Sequence, residues 1–153
     1  MERRTDNDVL DFLSSVWEAR FDMDRASREI ALAEAECQRV TAQITGAPGG
    51  GGDRHKDAAW AALADFRALL EEQHRLALER KAAVERFILQ LPDPKHRAVL
   101  RLRYVDTLRW PVVLERLHDY DLYYSERQMH RIHGAALTAA RAKWAEQQGD
   151  QET

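Results

Sequence analysis

Cysteine, proline and glycine are all scarce in these 153 residues, and each scarcity excludes something. The one cysteine, Cys37, rules out an intramolecular disulfide and suits a reducing compartment. Four Pro and seven Gly leave long stretches without a breaker, and four of the Gly form one run at 49–52. No stretch approaches the roughly 20 apolar residues that a membrane span requires. The opening MERRTDNDVL has no apolar core of the signal-peptide kind. Also absent are a nucleophile elbow, a dinucleotide fingerprint and a Ser-His-Asp pattern. The Gly run lacks the lysine and hydroxyl of a phosphate loop, and no strand pattern precedes it. These absences predict a soluble, cytoplasmic protein that spans no membrane, uses no cofactor and is not an enzyme.

What is present favours helix. Hydrophobic residues make up 44% and charged residues 32%, with Ala, Glu, Arg and Leu prominent. From Asp8 to Ile44, Val9, Leu13, Val16, Met23, Ile30, Cys37 and Ile44 follow an alternating four-three spacing, with Leu10, Trp17 and Phe21 beside it. A second run, Asp53 to Gln90, carries Trp60, Leu63, Leu70, Ala77, Val84, Ile88 and Leu91 at the same spacing, with Phe66 and Phe87 alongside. Two such runs of similar length, separated by the Gly-rich turn at 46–52, predict a long antiparallel helical hairpin of coiled-coil type over residues 1–90. Arg20, Glu34, Arg67, His74 and Lys81 interrupt the stripes. The hairpin is therefore expected to seek another partner, most simply a second chain in a homodimer.

The net charge of −3 is unevenly spread. Residues 91–144 hold ten Lys and Arg against six Asp and Glu, and four of the six His. Residues 1–90 carry −4 and the last nine −3. A polyanion would be met by the C-terminal part. There Asp93 and Pro94 open a helix to about Tyr104, Pro111 suits the first turn of the next, and Ser125 with Gln128 forms a capping-box pattern before a third. In that third helix Met129, Ile132, Ala136 and Leu137 keep a core-facing spacing, leaving Glu126, Arg127, Gln128, His130, Arg131 and Gly134 outward. Arg and Gln make bidentate bonds to base edges, so a short helix opening this way is suited to the major groove. Trp110, Tyr104, Trp17 and Trp60 are read as core.

The run L-P-D-P through R-A-V-L-R-L-R-Y-V-D, Trp110, and Y-S-E-R-Q-M-H-R-I-H-G-A-A-L resembles phage and prophage proteins whose C-terminal end is similar to region 4 of sigma factors, including late transcription regulators of the RinA and ArpU kind. The resemblance is strongest at Leu100–Tyr104 and Ser125–Leu137. It implies a helix-turn-helix over 91–145, sequence-specific binding of double-stranded promoter DNA in a bacterial host cell, and contact with host RNA polymerase. Two departures stand out: Leu114 where such units place Ala, and a link before Ser125 about four residues longer than usual.

The chain is thus expected to be all-α: the hairpin, a compact three-helix helix-turn-helix domain, and a disordered acidic tail at 146–153. Arg127, Gln128, His130 and Arg131 are the candidate base readers. Arg103, Arg109, Tyr124 and Ser125 are the candidate phosphate contacts. His130 and His133 form an H-x-x-H pair, but a closed zinc site needs four ligands, so no metal is expected. Two alternatives compete with a transcription regulator: a DNA-packaging adaptor resembling small terminase subunits, and a protein-only adaptor that grips RNA polymerase.

Overall fold

A computed structural model describes residues 2–44 and 52–152, and over them the chain is all-helical with no strand. The Gly-rich turn lies outside the described residues, apart from Gly52, which opens the second helix. Helix α1 spans Glu2–Ile44 and α2 spans Gly52–Leu89, each without an internal breaker. Three shorter runs follow: α3 (Pro94–Leu100), α4 (Trp110–His118) and α5 (Glu126–Gln151). The chain divides into two compact units, residues 19–78 and residues 1–18 with 79–153.

In the 19–78 unit, α1 and α2 pack side by side and antiparallel, with Glu34 of α1 bonded to Arg67 of α2 at 3.2 Å. Its buried residues are few: Ala19, Ala26, Cys37 and Val40 from α1 and Leu63 from α2. The contact line therefore shares the expected four-three stations with neighbouring small residues. The contact keeps Met23, Ile30 and Cys37 and takes Ala19, Ala26 and Val40 rather than the polar stations Arg20 and Ser27, so the seven-residue repeat holds with its second member one residue earlier. Two expected core residues fall off this line and are corrected. Phe21 is 63% exposed and Trp60 47% exposed.

The other unit holds two connected cores. Val9, Leu13 and Val16 of α1 meet Val84, Phe87 and Ile88 of α2, together with Leu91, Leu100, Tyr104, Val105, Ala136 and Ala140. Phe12, Phe87 and Trp144 close one end, with ring centroids 5.0–5.8 Å apart. Such aromatic contacts add about 0.5–1.5 kcal/mol per pair beyond area burial. The second core gathers Val99, Leu102, Val113, Leu117 and Met129, with Leu114, Leu122, Tyr124 and Ile132 packed around it.

This arrangement moves the domain boundary expected at residue 90. Helix α5 has two apolar faces: Met129 serves the second core, while Ala136 and Ala140 need the start of α1 and the end of α2 to cover them. The acidic tail differs as well, because α5 continues to Gln151. Trp144 is held in the aromatic cluster, and Gln147 donates to Gln90 at 2.6 Å, so the helix is tied down beyond residue 145.

Local chemistry sets the corners. Arg97 donates to the carbonyls of Leu91 (2.6 Å) and Pro92 (3.0 Å), satisfying acceptors left where α2 ends. Asp93 accepts from the Lys95 amide at 2.9 Å, the N-cap expected of Asp-Pro. Beyond α3, where the sequence predicts an uninterrupted α-helix to about Tyr104, the backbone widens into a π-helical segment, Arg101–Val105. The extra residue per turn lets Leu102 face the second core while Tyr104 and Val105 face the first.

Candidate nucleic-acid interface

Helix α4 starts after Arg109 with Pro111 in its first turn and buries Val113 and Leu117. The chain then reverses through residues 119–124. The Tyr120 and Leu122 amides both donate to the Leu117 carbonyl, at 3.1 and 3.0 Å. Asp121 takes a left-handed conformation with φ 58°, which Asp tolerates better than most side chains. The long link folds back on the protein, since Leu122 and Tyr124 pack against the second core. Tyr123 instead stands 72% exposed beside the His118 ring.

Helix α5 opens with a complete capping box. Ser125 Oγ accepts from the Gln128 amide at 3.2 Å, and the Gln128 side chain accepts from the Ser125 amide at 2.9 Å. Buried Met129 fixes its rotation against α4. Arg127, Gln128, His130 and Arg131 are consequently all exposed. Arg127 and Arg131, four residues apart, lie on one face. Neither has a hydrogen bond or ion pair among the described residues. Beyond them Gly134, Ala135 and Thr138 continue an exposed surface of small side chains. A Cβ added at Gly134 would meet no atom within 4 Å, so packing inside the chain does not require the glycine.

The eight candidate contact residues thus divide by environment. Arg127, Arg131 and Arg109 are exposed, Arg109 at the N-cap of α4. His130 is exposed too, but its ring lies 3.9 Å from Glu126 and edge-on to Trp110 at 4.8 Å. Gln128 and Ser125 are committed to each other in the cap. Tyr124 is half-buried, so of the two tyrosines Tyr123 is the one facing solvent. Arg103 is half-buried: its guanidinium lies 5.2 Å from the Trp17 ring and 4.7 Å from the Trp110 ring, and it donates to the Leu108 carbonyl at 2.9 Å. Trp17 also donates its indole N–H to the Arg103 carbonyl at 3.1 Å. Sequence spacing carried no signal for this stack, because its members are 86 residues apart.

His133 completes the same cluster. Its Nε2 lies 2.9 Å from the Tyr104 hydroxyl, and its ring meets Trp110 edge-on at 4.6 Å. Burial, then the positive charge of Arg103, then His130, push its pKa down to about 4. The ring stays neutral in the folded protein at pH values where the unfolded chain binds a proton. Folding stability is therefore fully present above about pH 6.5 and falls as pH drops toward 4. The expected loss is about 2 kcal/mol once screening of a half-buried ring is allowed for. Urea melts at pH 7.0 and 4.5 on the parent and a His133→Phe variant check this. An equal acid loss in both would assign it to other groups.

Among the described residues no three His, Cys, Asp or Glu side chains converge as a metal site, and no helix is long and apolar enough to cross a membrane. Residues 39–132, more than half of the chain, match a family described as Protein of unknown function (DUF1492). No curated protein and no solved structure matches the chain.

Proposed function

We propose that this chain, which belongs to the DUF1492 family of proteins of unknown function, binds double-stranded DNA through α4, the turn after it and the start of α5. In this reading the two helices form a helix-turn-helix, α5 enters the major groove, and the protein acts as a transcription regulator at promoter sites. One observation carries it: Arg127 and Arg131 stand exposed, and unpaired among the described residues, on one face of a helix whose rotation Met129 fixes. Two free guanidiniums one turn apart suit bidentate contact with guanine edges. The small side chains at Gly134 and Ala135 leave room for a groove wall beside them.

The contacts are narrower than the sequence alone suggests. The Gln128 acceptor already holds the Ser125 amide, so Gln128 serves the helix start and leaves base reading to Arg127 and Arg131, with His130 at the edge. In this reading exposed Arg109 and Tyr123 take the phosphates, while Arg103 is held by the Leu108 carbonyl.

The test is selection of bound sequences from a random duplex pool, followed by anisotropy titrations. Arg127→Ala or Arg131→Ala should weaken binding to the selected site by about 1–3 kcal/mol and leave random duplex nearly unaffected. Arg109→Ala should weaken both alike and reduce the salt slope by about one. Equal losses on both duplexes from the α5 variants would remove the base-reading roles. No duplex binding at low salt would end the DNA reading and favour an adaptor that contacts RNA polymerase through protein alone.

A further inference from the structure

We infer that one face of the 19–78 hairpin is the contact surface for a second copy of this chain, packed about a two-fold axis with the two α1 helices antiparallel. The face has a shallow groove, lined by Asp22, Arg25, Ala26 and Glu29 of α1 and by Phe66, Leu69 and Gln73 of α2. Phe21 (63% exposed) and Leu32 (66%) flank it on α1, and Leu69 (48%) lies on α2, with Leu76 continuing the same row. Large apolar side chains three, seven and eleven residues apart, and so on one side of each helix, are what a four-helix bundle buries. The unit has reason to need this, since within it only five described side chains are buried, two of them alanines.

Charge identifies the occupant. Arg25 and Glu29 are four apart on α1, both line the groove, and neither has an ion pair among the described residues. A two-fold axis crossing α1 midway between them places Arg25 of each copy opposite Glu29 of the other, forming two pairs at once. Self-complementary patches of this kind define an isologous interface. On the opposite face, lined by Met23, Ser27, Arg67, Leu70, Glu71 and His74, Arg67 is already paired with Glu34. Ala58 to Leu76 covers about 27 Å of α2, and two adjacent helices are about 20 Å across. That footprint is of the order of the roughly 800 Å² per partner in a standard interface. The inference stands apart from the DNA reading, because every residue it uses lies outside α4 and α5.

Light scattering on the full chain tests it. The parent should run at twice 17.7 kDa at about 10 µM. Leu69→Asp should run as a monomer with its helical circular dichroism retained, while Leu78→Asp, on the opposite face, should stay dimeric. If Leu69→Asp loses helicity, the charge pair decides: Arg25→Glu and Glu29→Arg should each weaken the dimer about tenfold, and the double exchange should restore it. A parent that stays monomeric to about 100 µM, a mass beyond two chains, an unaffected Leu69→Asp dimer, or a double exchange that does not recover would each overturn the inference.

Discussion

A protein trimmed to residues 91–145 will not unfold cooperatively, although the sequence marks those residues as a domain. The trimmed chain keeps the second core around Leu102, Val113, Leu117 and Met129. It strips the cover from Leu100, Tyr104, Val105, Ala136 and Ala140, which meet Val9, Leu13, Val16, Val84, Phe87 and Ile88. A chain of this length is already marginal, and an exposed apolar face of this size favours association over folding. Calorimetry and near-ultraviolet circular dichroism should therefore show no single sharp transition. In the full chain, Leu13→Ala should lower stability by about 2–5 kcal/mol and Phe87→Ala by about 3–5 kcal/mol, because both side chains are buried and leave cavities. If α1 and α2 were only an arm, the same substitutions would leave the melting of the C-terminal helices unchanged. A sharp calorimetric transition from the trimmed chain, with native near-ultraviolet signal, would restore the boundary at residue 90.

That boundary shows where reading the sequence stops. Caps were legible because their chemistry is local: Asp93 before Pro94, and Ser125 three residues before Gln128, act within one helical turn. The apolar spacing of Met129, Ala136 and Leu137 was legible too, since it depends only on the helical period. What covers a face is a different matter. Ala140 is too small to announce a buried contact, and Val9, Leu13 and Val16 look the same in a hairpin arm as in a shared core. The π-helical turn at Arg101–Val105 has no composition signal, because it answers to two cores at once. Phe21 and Trp60 were misplaced because the contact line runs through Ala19, Ala26 and Ala59, small residues beside the large ones that the apolar pattern favoured. Of the candidate site, the exposed face of Arg127 and Arg131 followed from the pattern. The commitment of Gln128 was implied by the capping-box pattern, whereas that of Arg103 depends on Trp17, 86 residues away.

Replacing Arg103 separates the two roles it has been given. A phosphate contact on a surface arginine could be lost with little change in stability. Arg103 instead lies against Trp17 and Trp110, donates to the Leu108 carbonyl, and supplies part of the positive field at His133. Cation–π contact with each indole contributes about 0.5–2 kcal/mol. Leaving a partly buried carbonyl without its donor costs about 1–3 kcal/mol. These are not additive, so Arg103→Ala should lower stability by about 2–4 kcal/mol. Arg103→Met keeps most of the stem and removes the charge. It should recover some stability while raising the His133 pKa from about 4, since the second cause of its depression is gone. Imidazole proton shifts followed against pH report that change directly. DNA titrations at several salt concentrations complete the comparison. If Arg103→Met reduces the salt slope by about one with stability and the His133 titration unchanged, the arginine is a phosphate ligand and its place between the indoles is incidental. The stack predicts the opposite pattern: lower stability, a shifted histidine and an unchanged slope.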